Sequence, residues 1–182
     1  ARQHQLPHLH ARGACQLQDI PYIFELGMVL PEGGVKHLQG RFDKNGKGLA
    51  AKASQCHTAV INSIVTCLFS SLALQPSVIG ILMGSCIGQN YTAQNIVTMG
   101  ERIVQLMRVF NLRAGITGRD DRLPPRLLEP TREGGHAGRV ADVDYQVRDF
   151  YQVIGWDETG VPLPDRLKQV VLDELVADLP AS

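Results

Sequence analysis

Thiols and imidazoles are the groups in this sequence best suited to hold a metal or attack a substrate. The cysteines are Cys15, Cys56, Cys67 and Cys86. They are too sparse for a disulfide framework, and no two form a C-x-x-C pair. Cys56-His57 and Cys67 do not fit a zinc spacing. A cysteine-held iron–sulfur cluster generally draws on four thiolates, and these four are not grouped for it. By residue type alone, Cys67 reads as a small buried hydrophobe. To ligate a cluster it needs partners from sequence outside this chain. His4, His8 and His10 could set two imidazoles one helical turn apart, although a solvated chain end is the simpler reading. Nothing brings a Ser, a His and an Asp together as a triad. Gly46-Lys47-Gly48 is like a phosphate loop only in part: Gly40 lies one residue too far upstream, and Gly48 stands where Ser or Thr is needed.

The rest of the chain must position these groups. Its 182 residues suit one domain or two small ones. At 44% hydrophobic and 20% charged residues, it has the material for a real core. Eighteen basic side chains balance eighteen acidic ones, and aromatics make up 5%. A nucleic-acid partner is therefore not expected: there is no cationic footprint and little to stack on bases. The cysteine usage points to a reducing, cytoplasmic compartment. The chain begins at Ala1 with no signal segment, so it reads as a piece whose natural start lies upstream.

From position 53 to 100 there is no Asp, Glu, Lys or Arg. Within that stretch, residues 59–74 are apolar on every side of a helical wheel, which predicts a fully buried or membrane helix. The run is broken by Asn62, Ser63, Thr66, Ser70 and Ser71, and it ends at Gln75-Pro76. It falls short of the roughly 20 apolar residues of a span. Residues 78–87 are shorter still, with Gly80, Gly84 and Gly88 at a spacing that permits close helix contact. Burial in a soluble core is the expectation, and no membrane. Residues 31–48 read as loop. A helix opens at the N-cap Thr92, carries an apolar stripe of Met99, Ile103, Leu106 and Phe110, and stops at Gly115. Glu101, Arg102, Arg108 and Asp120-Asp121 are expected in surface or interdomain ion pairs of little worth. Residues 118–140 read as a solvated connection. A short helix carrying Val147, Phe150, Tyr151 and Ile154 stops near Gly155, and a last one carries Leu167, Val171 and Leu175. The class is mostly α, with few or no strands.

Several pieces of this sequence stand together in an order that resembles one family. Gly100-Glu101-Arg102-Ile103 is followed by Arg108-Val109-Phe110-Asn111-Leu112-Arg113-Ala114-Gly115 and by Asp120-Asp121-Arg122-Leu123-Pro124-Pro125-Arg126. Then come Tyr151, Gly155-Trp156-Asp157, Gly160, Pro162 and Leu167. Order and spacing over residues 59–175 resemble the C-terminal region of the aldehyde:ferredoxin oxidoreductase family. The resemblance implies multi-helical C-terminal domains of a tungsten (or molybdenum) bis-pterin enzyme with one 4Fe–4S cluster. Such an enzyme oxidises aldehydes to carboxylic acids and passes electrons to ferredoxin.

The family carries an Asp-x-x-Gly-Leu-Cys motif whose acid and backbone meet a pterin and whose Cys is a cluster ligand. Asn62, Val65, Thr66 and Cys67 occupy those places, and only the Cys is retained. The resemblance thus makes Cys67 the metal ligand and Asn62 and Thr66 the pterin-binding residues. Arg12-Gly13-Ala14-Cys15-Gln16 is similar to a stretch that usually ends in His near the substrate. It makes Gln16 the catalytic-site residue, able to orient a substrate oxygen but not to titrate. The family's N-terminal pterin domain and its C-x-x-C-x-x-x-C run are absent, so both cofactors need the missing N-terminal sequence and this chain is incomplete alone. The expected partners are ferredoxin or another carrier, an aldehyde, the N-terminal remainder of the enzyme and, compatibly, a second copy as a homodimer. Residues 1–58 read as a partial linker and active-site segment, and 59–182 as the helical C-terminal region. The rival readings are a non-catalytic helical module or accessory subunit derived from the family, and a small membrane-associated protein built on residues 53–100.

Overall fold

A computed structural model of the chain describes residues 20–37, 40, 43–130, 132–134, 137–140 and 142–180. The order of elements is a 3-10 turn at Pro21–Phe24, a second at Pro31–Gly33, then α1 (Lys47–Ser63), α2 (Leu68–Ser71), α3 (Pro76–Ile87), α4 (Ala93–Arg113), 3-10 turns at Gly118–Asp120 and Pro125–Leu127, α5 (Val143–Ile154), α6 (Pro164–Gln169) and a 3-10 turn at Asp173–Asp178. The described residues are mostly helical. Their only β pairings are the isolated antiparallel bridges Leu30–Val35 and Trp156–Pro162. No helix among them is long and apolar enough to cross a membrane.

Helix α1 is the hub, packed against α4, α5 and the first 3-10 turn. Two glycines set how closely its neighbours approach. A Cβ on Gly100 of α4 would lie 2.2 Å from the Cys56 carbonyl oxygen of α1, and a Cβ on Gly48 of α1 would lie 2.6 Å from the Asp149 carbonyl carbon of α5. In both contacts a glycine faces the backbone of the neighbouring helix, so any side chain there would force the helices apart. Around them Ala51, Cys56, Val104, Phe150, Tyr151, Ile154 and Trp156 form the central core. A second core of Val60, Ile61, Ile79 and Ile96 ties α1 to α3 and α4.

The helix boundaries follow local chemistry. Thr92 caps α4 through a reciprocal box: its hydroxyl accepts from the Asn95 N–H, and the Asn95 side chain accepts from the Thr92 N–H at 2.9 Å. Gly115 then takes a left-handed φ of +86° just past the helix end. Pro76 opens α3 at its first turn, and Gly88 closes it in the left-handed region. Asp142 caps α5, and Gly155 ends it with φ +83°.

Several expectations need correction. Residues 59–74 are not one buried helix: α1 stops at Ser63, and Val65 is left-handed and 92% exposed. The stretch expected as loop contains the second 3-10 turn and a buried helix start at Lys47 and Gly48. In α4 the expected apolar stripe is out of phase. Phe110 is 70% exposed and Leu106 also faces out, whereas Glu101, Gln105 and Arg108 are buried. Val171 lies outside the short α6, exposed and left-handed. The spacing of Gly80 and Gly84 does mark close contact, but with the turn that follows α3: their Cβ atoms would meet the Tyr91 and Gln89 carbonyl oxygens at 2.5 and 2.4 Å.

Candidate functional site

The polar residues at the centre of the fold build a knot rather than a reaction site. Arg108 Nε donates to the Gly160 carbonyl at 2.7 Å, and Nη2 pairs with Asp121 Oδ2 at 2.8 Å. The guanidinium carbon lies 4.5 Å from the Trp156 ring centroid, a cation–π contact inside the core. Tyr151 donates its hydroxyl to the same carboxylate oxygen of Asp121. Burial, and then the Asp121 hydrogen bond and charge, push the Tyr151 phenol well above its ordinary range. Gln105 accepts from the Trp156 indole N–H at 2.7 Å and donates to the Ile154 carbonyl at 2.8 Å. Glu101 is clasped by Arg166, whose Nη2 sits 2.6 Å from Oε2, and by Lys52 at 3.0 Å. Of the residues expected in surface or interdomain ion pairs, Glu101, Arg108 and Asp121 are buried in pairs within this fold, whereas Arg102 and Asp120 are exposed.

Gly46-Lys47-Gly48 is equally committed. Lys47 Nζ is 2.5 Å from Glu25 Oε1 and donates to the Gly40 carbonyl at 2.9 Å, while the Gly48 N–H donates to Asp149 Oδ2 at 2.7 Å. Lysine and amide are both occupied by carboxylates, so no phosphate cradle exists here.

The residues singled out for cofactor contact lie together at the other end of α1. Asn62 is exposed in the last turn of the helix, Thr66 is half-buried and Cys67 is exposed just before α2. The chain between them turns tightly. The Val65 N–H donates to the Asn62 carbonyl at 3.3 Å, and the Thr66 N–H donates to the Ile61 carbonyl at 3.1 Å. Val65 carries φ +57°. A β-branched residue rarely adopts that conformation, which costs about 1–2 kcal/mol outside glycine. Position 65 is where the resembled motif has its Gly. The turn thus keeps the backbone shape that a glycine takes without strain, although the residue has changed.

Among the described residues no group of three or more His, Cys, Asp or Glu is placed to hold a metal ion. Cys67 accordingly belongs to no such group among the described residues. Cys56 is buried in the central core. Gln16, Cys15, His4, His8 and His10 lie outside the described residues. The described residues begin at Ile20, whose N–H donates to Ser54 Oγ of α1 at 2.9 Å. Sequence reading missed the apolar exposure that follows α1: Val65 and Phe69 stand exposed at the turn and α2, and Ile81, Leu82 and Ile87 stand exposed on α3.

Comparison with known proteins agrees with the resemblance. The family model for aldehyde ferredoxin oxidoreductase, domains 2 and 3, matches residues 8–172. The tungsten-containing aldehyde ferredoxin oxidoreductase of Pyrococcus furiosus is 34% identical over 119 residues, covering 64% of this chain and 20% of that protein. Its namesake from Pyrococcus abyssi is 32% identical over 121 residues, covering 65% and 20%. The WOR-like subunit of an aliphatic sulfonate oxidoreductase from Pyrococcus furiosus is 36% identical over 85 residues, covering 42% and 13%. The match thus takes in about a fifth of the length of the tungsten-containing relatives. With an ordered match over most of its residues and a mostly helical fold, this chain belongs to the aldehyde ferredoxin oxidoreductase family.

Proposed function

We propose that the chain is the C-terminal, cofactor-facing part of a larger oxidoreductase that converts aldehydes to carboxylic acids and delivers the electrons to ferredoxin or another carrier. The observation that carries this reading is the Asn62–Cys67 turn. It is a strained, exposed loop on the end of a helix that is otherwise anchored on two sides. A left-handed valine kept in place of glycine argues that the turn's shape matters more than its comfort.

The residues fit their suggested groups chemically. The Cys67 thiol stands exposed, as a ligand to a cluster shared with other sequence must. The remaining thiolates come from the missing part of the enzyme. The Asn62 amide offers both a donor and an acceptor to a pterin ring, and the Thr66 hydroxyl offers the same on a smaller scale. When bound, the tungsten or molybdenum bis-pterin supplies the oxidation and the 4Fe–4S cluster the route for electrons. This chain's own contribution is to present ligands from a rigid helix and to exclude water with a wall free of charged side chains. Gln16 orients a substrate oxygen by hydrogen bonding and moves no proton. Such an enzyme works in a reducing, cytoplasmic compartment.

The test is anaerobic isolation of the native polypeptide, with intact mass and metal content measured on one sample. A polypeptide longer than this chain, with about four irons and one tungsten or molybdenum, is expected. In it, Cys67→Ser should lose the cluster's spectroscopic signature while retaining helical content. A metal-free native polypeptide would overturn the reading and leave a non-catalytic module of the same family. The replacements at positions 16, 62, 65 and 66 are what favour that second reading.

A further inference from the structure

Helix α3 is built for an interior but lies half outside. It carries no charged residue, and neither does any position from 53 to 100. Its inner face is fixed: Ile79 and Gly80 are buried, and Gly80 and Gly84 press on the carbonyls of Tyr91 and Gln89. The helix therefore cannot roll to hide its other side. That side presents Val78, Ile81, Leu82 and Ser85 at the i, i+3, i+4, i+7 spacing of one helical stripe. Ile81 is 66% and Leu82 54% exposed. Cys86 and Ile87 at the end of the helix are exposed as well. A solvated helix carries charges on its outer face, whereas an uncharged apolar stripe of this kind marks an interface.

We propose that this stripe docks the part of the larger family protein that this chain does not span, through an equally uncharged, apolar surface on that part. The inference rests on the reading under Proposed function and specifies where the two parts meet. One observation chooses this occupant over a second copy: most of the length of the related enzymes lies outside the matched region. Docking of that remainder would cover the outer face of α3.

Cys86 reports on the interface without being part of any cofactor site. In the native polypeptide, alkylation of Cys86 by N-ethylmaleimide, followed by peptide mass spectrometry, should be slower by about tenfold or more than in the same polypeptide in denaturant. Leu82→Glu should restore fast alkylation while Trp156 fluorescence stays native, which separates loss of docking from loss of fold. A Cys86 that reacts as fast natively as in denaturant overturns the proposal. So does protection that disappears on dilution together with a dimeric mass, since the occupant is then a second copy. Failure of the functional reading looks different: Cys86 is protected in a polypeptide that holds no iron and no tungsten or molybdenum.

Discussion

The two ends of this molecule handle polarity in opposite ways. Around α4 and α5, charged and polar side chains lie inside: Arg108, Asp121, Gln105 and Glu101 are buried and each has a partner. Around the end of α1 and the outer face of α3, apolar side chains lie outside with nothing over them among the described residues. The first region is complete in itself, since every charge it buries is met by another group of the same chain. The second has the composition of an interior and the exposure of a surface. Self-sufficiency and incompleteness are thus assigned to different helices of one small fold.

Substitutions should separate the two regions, and the largest effect belongs to the buried knot. Arg108→Met should destabilise the chain by about 3–5 kcal/mol, because it leaves the Asp121 carboxylate buried without its counter-charge. Urea unfolding followed by Trp156 fluorescence measures it, and a loss under 1 kcal/mol would contradict the account of the knot. Gly100→Ala comes next. Its new methyl would meet the Cys56 backbone, so α1 and α4 must part, at a cost of about 1–3 kcal/mol by the same assay. Val65→Gly should instead stabilise. Relief of about 1–2 kcal/mol of left-handed strain outweighs the extra chain freedom that glycine brings to the unfolded state, leaving a net gain of about 0.5 kcal/mol. Smallest of all is Leu82→Ser, which should change the stability of the 182-residue chain by no more than about 0.5 kcal/mol. If Leu82→Ser costs as much as Gly100→Ala, the α3 stripe is core and the contrast between the regions fails.

Both pH effects expected of the chain belong to the first region. Tyr151 holds its proton more tightly folded than unfolded, so its contribution to stability is complete below the ordinary tyrosine pKa and is lost as pH rises beyond it. Tyr151→Phe should therefore flatten the alkaline limb of a Tm-against-pH curve. Asp157 works at the acid end. Partial burial acts against its charge, but the N–H groups of Val161, Thr159 and Gly160 and the Thr159 hydroxyl hold its carboxyl below the usual range. Its stabilisation is present above the ordinary carboxylate pKa and disappears as pH falls through the lowered value. Asp157→Asn should flatten the acid limb without altering the alkaline one.

The sequence was legible where local chemistry decides. Thr92, Gly115 and Gly155 mark helix ends in the structure as their types and positions imply. Phase was not legible within α4. Pattern reading places Leu106 and Phe110 inward and Arg108 outward, because it assumes that apolar residues seek the core. The reversal depends on Asp121, Gly160 and Trp156, partners far along the chain that no local window contains. The break at Val65 was hidden for a related reason: a valine gives no sign of a left-handed turn. The candidate site was legible only as a remnant of a family motif. Its identity came from the position of Cys67 in an ordered series of matches, not from any local ligand spacing.

The two tight glycine contacts on α1 also act as a pair of bearings on a shaft. Gly48 meets α5, and Cys56 meets Gly100 of α4 eight residues later, a separation of about 12 Å at helical rise. Asn62 lies six residues beyond the second bearing, an overhang of about 9 Å. Because the overhang is shorter than the span between bearings, a displacement at Gly48 reaches Asn62 reduced rather than amplified. The far end of the helix is therefore held to a finer tolerance than its start, and the turn that follows at Val65 inherits that precision.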